Sequence, residues 1–161
     1  MPQGYIRYPH IHHDHIVFVS EDDIWLVAST SERAERLTAG VNSVSYPRFS
    51  PDGQYLAFVG REEGPSEIYV MPAFGGPAQR LTFQAASCRV LAWSPTGDEI
   101  LYASNAGQYM SKFWVIYAIR PDGGQPRQLP VGMANAISYG PDGGVVLGRN
   151  VREAAHWKQF R

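Results

Sequence analysis

A chain of 161 residues with 44% hydrophobic and 18% charged side chains is long enough for one packed core and too apolar for a disordered tail. Its 14 basic and 15 acidic side chains leave a net charge of −1, which excludes a global attraction to nucleic acid or to an anionic membrane. One cysteine, Cys88, excludes an internal disulfide framework and suits a reducing compartment.

The opening residues, Met1 to His10, carry no apolar signal core, and no later run is long enough to span a bilayer. The expectation is a soluble, cytoplasmic protein. With 16 Gly and 12 Pro, turn residues are abundant, as a chain of many short strands requires.

The first unit, about residues 1–40, predicts strands at 5–8, 16–19, 24–27 and 34–38, with a turn from Pro9 to Asp14 and an acidic turn at Glu21-Asp22. The second, about 41–84, predicts strands at 44–49, 55–59, 67–71 and 78–82. Its first two strands are joined by Ser50-Pro51-Asp52-Gly53, each residue placed as a type I turn wants it. The third, about 85–132, repeats the phrase as Ser94-Pro95-Thr96-Gly97 and predicts strands at 90–93, 99–103, 113–119 and 127–129. A half-unit over 133–149 repeats it again as Gly140-Pro141-Asp142-Gly143, between strands at 136–139 and 145–148. Residues 150–161 form a basic exit segment. Pro51, Pro95 and Pro141 stand 44 and 46 residues apart, and Leu37, Leu81 and Leu129 keep step with them. A repeat of that length predicts an all-β fold, a partial β-propeller of about three and a half four-stranded antiparallel blades.

The candidate chemistry is thin. His10, His12, His13, Asp14 and His15 form a cluster whose His10–His12 spacing suits two zinc ligands on a strand. No Cys, His or carboxylate elsewhere completes a tetrahedral set, so Ile11 to Asp14 read as a solvated hairpin turn. Asp52, Asp142 and the pair Glu62-Glu63 suggest acid–base carboxylates, yet Asp52 and Asp142 hold equivalent turn positions and Thr96 replaces them in the third unit. There is no Gly-x-Ser-x-Gly and no phosphate loop, and nothing near Ser87-Cys88 activates the thiol. Trp25, Tyr69, Trp93, Phe113, Trp114 and Tyr139 recur at strand positions, where inter-blade core outweighs a binding platform. Arg149, Arg152, Lys158 and Arg161 read as a solvated exit, the alternative being an anchor for peptide carboxylates. No catalytic, cofactor-binding or metal residue is assigned, and no cofactor is expected.

Three stretches together resemble the N-terminal propeller of the tricorn protease family. They are Pro9-His10-Ile11-His12-His13-Asp14-His15-Ile16-Val17-Phe18-Val19 with Asp23-Ile24-Trp25 after it, the Pro-Asp-Gly hairpins, and Val145-Val146-Leu147-Gly148-Arg149-Asn150 with His156-Trp157-Lys158. The resemblance implies a fragment of a large cytoplasmic serine peptidase that trims peptides. Such proteins carry two propellers, a PDZ domain and a catalytic region, and assemble as homo-oligomers. Their serine, histidine and supporting acid lie far downstream, so none falls on a position here, and a six-bladed first propeller would continue past Arg161. The implied role is non-catalytic: gating or channelling peptides to a downstream active site. The implied partners are the rest of the peptidase chain, its homo-oligomer and peptides, with no nucleic acid and no membrane. The alternative is a self-contained interaction module that closes its ring by self-association; a periplasmic TolB-like scaffold is disfavoured by the missing signal sequence.

Overall fold

The turn phrase sets the hairpin register. The N–H groups of Gly53, Gly97 and Gly143 donate to the carbonyls of Ser50, Ser94 and Gly140, three residues earlier, at 2.9, 2.9 and 3.1 Å. The Ser50 and Ser94 hydroxyls also accept the N–H of Tyr55 and Glu99, at 2.9 and 3.0 Å. These glycines have φ of 71°, 80° and 75°, a region that side chains with a Cβ rarely adopt.

The computed structural model describes residues 5–39, 43–62, 64–140 and 142–149. Strands β1 (Arg7–His12), β2 (His15–Ser20), β3 (Asp23–Ala28) and β4 (Glu35–Arg36) form one four-stranded sheet in sequential order. A second sheet holds β5 (Val44–Phe49), β6 (Tyr55–Gly60), β7 (Glu67–Pro72) and β8 (Gln79–Arg80). The third holds β9 (Cys88–Trp93), β10 (Ile100–Ser104), β11 (Val115–Ile119) and β12 (Arg127–Met133), and β13 (Ala136–Tyr139) pairs with β14 (Val145–Gly148). All pairings are antiparallel, and no helix occurs among the described residues.

Strand alternation divides each middle sheet between two neighbours. In β6 and β7, Leu56, Phe58, Tyr69 and Met71 pack with Val17, Val19, Ile24 and Leu26 of the first sheet. The intervening Ala57, Val59, Ile68 and Val70 pack with Val90, Ile100, Tyr102 and Tyr117 of the third. Leu101, Ile116 and Ala118 then meet Ile137 of the fourth unit. A strand buried on both faces has no room for a polar alternate, and β6, β7, β10 and β11 are nearly all apolar as a result.

The first strands of successive sheets pack side by side, which places β1, β5 and β9 on the inside of the array. Side chains staple them. The N–H of Phe49 donates to His10 Nδ1 at 3.2 Å, Arg48 Nε donates to the Leu91 carbonyl at 3.2 Å, and Trp93 Nε1 donates to the Arg48 carbonyl at 3.0 Å.

The outer strands of the first two sheets are only two residues long, and a polar latch finishes them. Asp23 and Glu67 open β3 and β7. The Thr38 hydroxyl donates to Asp23 and that of Thr82 to Glu67, while the same two oxygens accept the N–H of Ile24 and Ile68 at 2.9 Å. Arg36 and Arg80 pair with the acids at 2.7 and 3.3 Å and donate from Nε to the Thr38 and Thr82 carbonyls. Glu67 is 2% exposed, so its carboxylate is dry, while the Arg80 side chain is 22% exposed and reaches solvent. The third sheet has no counterpart: at the equivalent register stand Val115, Gln128 and Pro130, and β12 runs on for seven residues instead.

Two expectations need correction. The first turn is not the Pro9–Asp14 loop; β1 continues to His12, and only His13 and Asp14 turn, with His12 opposite His15. The reason is a bulge. Tyr8 has φ of 52° and the register slips between Arg7 and His10, so the strand bends past Pro9 and resumes. Tyr46-Pro47 makes the same bulge in β5, with φ of 54° at Tyr46. Second, β12 extends to Met133 and β11 starts at Val115, so Phe113 and Trp114 precede the strand expected to hold them.

Candidate functional site

One end of the array carries the starts of β1, β5 and β9, the end of β6 and the residue before β11. These segments enclose a cavity of about 480 Å³ lined by Arg7, Tyr8, Tyr46, Arg61, Cys88, Arg89 and Trp114, with Ser43, Ser45, Ser66 and Ser87 between them. The bulges build its floor: the left-handed turns at Tyr8 and Tyr46 bring their rings to 4.3 Å. Burial, followed by the hydrogen bond to Tyr46, raises the Tyr8 phenol above its ordinary value, while Arg7 and Arg61 act in the other direction. Both guanidinium groups therefore lie within electrostatic reach of that ring.

The arginines are held differently. Arg7 pairs with Asp22 at 3.1 Å, and Arg61 Nε donates to the Ser66 hydroxyl at 2.9 Å. Arg89 lies over the Trp114 ring with its guanidinium carbon 4.9 Å from the centroid, a cation–π contact. Its Nε is buried with no hydrogen-bond partner, the only such side-chain nitrogen or oxygen among the described residues. An unpaired buried donor is costly.

The opposite end carries the Pro-Asp-Gly turns and a groove of about 510 Å³ between the second and third sheets, lined by Asp52, Tyr55, Trp93, Asp98 and Pro121. Asp52, Asp122 and Glu99 at this end are engaged. Asp52 accepts from the Ser50 hydroxyl and the Gln54 N–H, which hold its carboxyl below the usual range in that order. Asp122 is paired with Arg120 through two hydrogen bonds and Glu99 with Arg127, at 2.7–2.9 Å.

The residues singled out in the sequence scatter. His10 and His12 do share a face of β1, their rings 5.9 and 5.7 Å from the Phe49 ring, but His10 Nδ1 is occupied by the Phe49 N–H. Burial, then Arg48 and His12, lower its pKa to about 4. Among the described residues no three His, Cys, Asp or Glu side chains gather as metal ligands. Asp52 is a turn residue. Asp142 lies in the equivalent turn, Glu62 accepts from the Tyr69 hydroxyl, and Glu63 lies outside the described residues. Burial followed by Glu67 pushes the Cys88 thiol up to about 12, so it stays protonated and a poor nucleophile. Tyr69 and Trp93 are core, Tyr139 packs on the last apolar cluster, and Trp25 and Phe113 are half-buried. Arg149 closes the described residues; Arg152, Lys158 and Arg161 lie beyond them.

Sequence reasoning put Trp114 in the core and overlooked Arg7, Arg61 and Arg89. No spacing marks those arginines: Arg7 and Arg89 hold the equivalent position of β1 and β9, but Ser45 holds it in β5, and Arg61 follows β6. The Tyr-Pro pair at 8–9 and 46–47 was the available signal, since a repeated Tyr-Pro inside a strand announces a bulge.

Antiparallel four-stranded sheets stacked face to face, first strands inward, define a β-propeller. Residues 3–161 match the model of the tricorn protease N-terminal β-propeller domain, and the chain belongs to that family. Over 98% of its length it is 36% identical to tricorn protease homolog 1 of Streptomyces coelicolor, of which it spans 15%. It is 27% identical to a tricorn-like protease N-terminal subunit of Sulfurisphaera tokodaii, and there it spans 82% of the relative. A crystal structure of the tricorn protease superposes with a TM-score of 0.82 at 27% identity, over 98% of this chain and 16% of that one. TolB from Acinetobacter baumannii shares the fold at 22% identity, with a TM-score of 0.72, over 89% of this chain and 37% of that one. Among the described residues no helix is long and apolar enough to cross a membrane.

Proposed function

We propose that this chain is the non-catalytic first propeller of a tricorn-like serine peptidase, divided into blades at about residues 40, 84 and 132, and that it gates or channels peptides toward an active site elsewhere. The observation that carries the reading is the cavity where β1, β5 and β9 begin. It sits on the inner side of the array, and hydroxyl, guanidinium and aromatic groups line it without a nucleophile–base pair. The Streptomyces coelicolor relative, of which the chain spans 15%, is named a tricorn protease homolog, and a peptidase region elsewhere fits that proportion. The cytoplasm and a homo-oligomer belong to the same reading.

Incubated alone with a fluorogenic peptide library, the chain is expected to release no fluorophore while labelled unstructured peptides bind it. Ser45→Trp, which fills the cavity, is expected to abolish that binding. Turnover that disappears with one Ser or Cys substitution overturns the non-catalytic assignment.

A second reading has its own support. The Sulfurisphaera tokodaii relative of similar length is named a subunit, and Val146 of the two-stranded last unit is 71% exposed. A chain that closes its ring with a second copy sediments as a dimer at micromolar concentration and binds no peptide.

A further inference from the structure

The seam between the second and third sheets stays open at the turn end. Three adjoining depressions of about 320, 510 and 530 Å³ run along it, and Pro121 lines all three. At the first seam the His12 ring covers Gly53, whereas over Gly97 only the edge of the Pro51 ring approaches. The floor is apolar and open to solvent: Tyr55, 45% exposed, joins Pro72, Pro77 and Pro121 there. Proline has a fixed φ and no N–H, so this wall is rigid and offers no backbone donor at those positions. The rim is acidic, with Asp52, Asp98, Glu99 and Asp122 along it. Arg127 matches Glu99 and Arg120 matches Asp122, so four acids against two arginines leave two negative charges. One is Asp52, whose partners, the Ser50 hydroxyl and the Gln54 N–H, do not neutralise it. The other is Asp98, which is exposed and in no ion pair among the described residues.

We propose that this groove docks an extended cationic polypeptide segment, with the aliphatic stems of its Lys or Arg side chains on Tyr55 and Pro121 and their heads at Asp98 and Asp52. The proposal is independent of the channel reading, because it concerns the other end of the array. An apolar floor beneath an acidic rim suits these two side chains, whose stems are hydrocarbon and whose tips alone carry charge. The Tyr55 ring adds a face toward which a cation is drawn. A bare metal ion fits less well. It would use the acids and leave the floor uncovered, and no three metal-ligating side chains gather among the described residues. Length also favours a chain over a single small cation, since the three depressions follow one another along the seam.

The test uses the whole chain and peptides acetylated at the N-terminus and amidated at the C-terminus, so that side chains supply the only charge. Three peptides differ at two central positions, Lys-Lys, Gln-Gln or Glu-Glu, and fluorescence anisotropy reads their binding. The Lys-Lys peptide is expected to bind roughly tenfold tighter than Gln-Gln, with Glu-Glu weakest, and added salt should erode the difference. Asp98→Asn should remove most of the preference. Glu32→Gln, an equal change of net charge at an exposed position of the first sheet's outer turn, should leave it intact. Tyr55→Ser should weaken the Lys-Lys peptide severalfold, and its backbone N–H still meets the Ser50 hydroxyl, so the turn persists. Equal affinities for Lys-Lys and Gln-Gln overturn the proposal. So does an equal loss in Asp98→Asn and Glu32→Gln, which assigns the preference to net charge. A preference lost in Ser45→Trp and kept in Asp98→Asn places it in the cavity, which overturns the groove and leaves the channel reading standing. Displacement of the Lys-Lys peptide by calcium, at concentrations where sodium of equal ionic strength has no effect, overturns the peptide in favour of a divalent cation.

Discussion

The second and third blades have the same strand order and the same stacked aromatic pair, Phe58 with Tyr69 in one and Tyr102 with Tyr117 in the other, at 5.6 and 5.5 Å. They differ at the outer edge. The second closes with a two-residue strand and the group Glu67–Arg80–Thr82, whose acid is buried; the third closes with seven residues and carries Val115, Gln128 and Pro130 at those positions. All three members change together. That is what electrostatics demands, because a buried acid without its partners costs far more than an apolar residue in its place, and an isolated arginine there gains nothing. The difference shows that the latch is one indivisible solution to ending a blade, and that a longer ladder is another.

The sharpest way to break this comparison is to remove one member. Glu67→Val is expected to destabilise the chain by about 3 kcal/mol, since it strands the Thr82 hydroxyl and the Ala85 N–H that Glu67 accepts from. Adding Arg80→Gln and Thr82→Pro, which copies the third blade, is expected to restore part of that loss. Urea denaturation of the single, double and triple variants measures the coupling, and losses that simply add would show that the three act independently.

A smaller effect separates the two turns. Gly53→Ala meets a left-handed φ of 71° and a His12 ring 2.6 Å from the new Cβ, whereas Gly97→Ala meets φ of 80° with open space out to Pro51 at 3.6 Å. The backbone term is about 1 kcal/mol in both, and crowding adds roughly 1–2 kcal/mol at Gly53 alone. Thermal melts should rank Gly53→Ala below Gly97→Ala; equal losses would mean that His12 moves aside freely.

The smallest expected effect concerns the seams on either side of the second blade. Toward the first blade the seam uses His10, toward the third it uses Arg48 and Trp93. The folded His10 pKa of about 4 lies below the ordinary 6.5, so the unfolded chain binds the extra proton between those values. Stability is fully present above about pH 6.5 and falls as pH drops toward 4. After allowance for the screening of a half-buried ring, the loss is about 1–2 kcal/mol. His10→Asn should flatten stability over this window, and an unchanged slope would assign it to other groups.

The blade count and hairpins were legible because Pro51, Pro95 and Pro141 recur with glycine two residues on, and a turn's chemistry is local. The His10 turn was misread because a strand interrupted by proline looks like a loop until the neighbouring Phe49 N–H claims the histidine. The latch left a trace in Asp23/Glu67 and Thr38/Thr82, both spaced 44 residues apart, which strand patterning passes over because it weighs apolar residues. The arginine cavity left none. It exists only once three segments distant in sequence meet at one end of the array, a tertiary fact.

The proline bulges of the inner strands bear on how anything passes the inside of the array. A first strand has one side bonded to its sheet and the other open, and such an open edge ordinarily captures an extended peptide as an extra strand. Pro9 and Pro47 carry no N–H, and the bulges at Tyr8 and Tyr46 throw the remaining groups out of line. A peptide sliding along β1 or β5 therefore finds no continuous ladder to join. Along β1 and β5 the inner edge is therefore poor at capturing backbone, whereas β9 carries no proline and keeps every N–H.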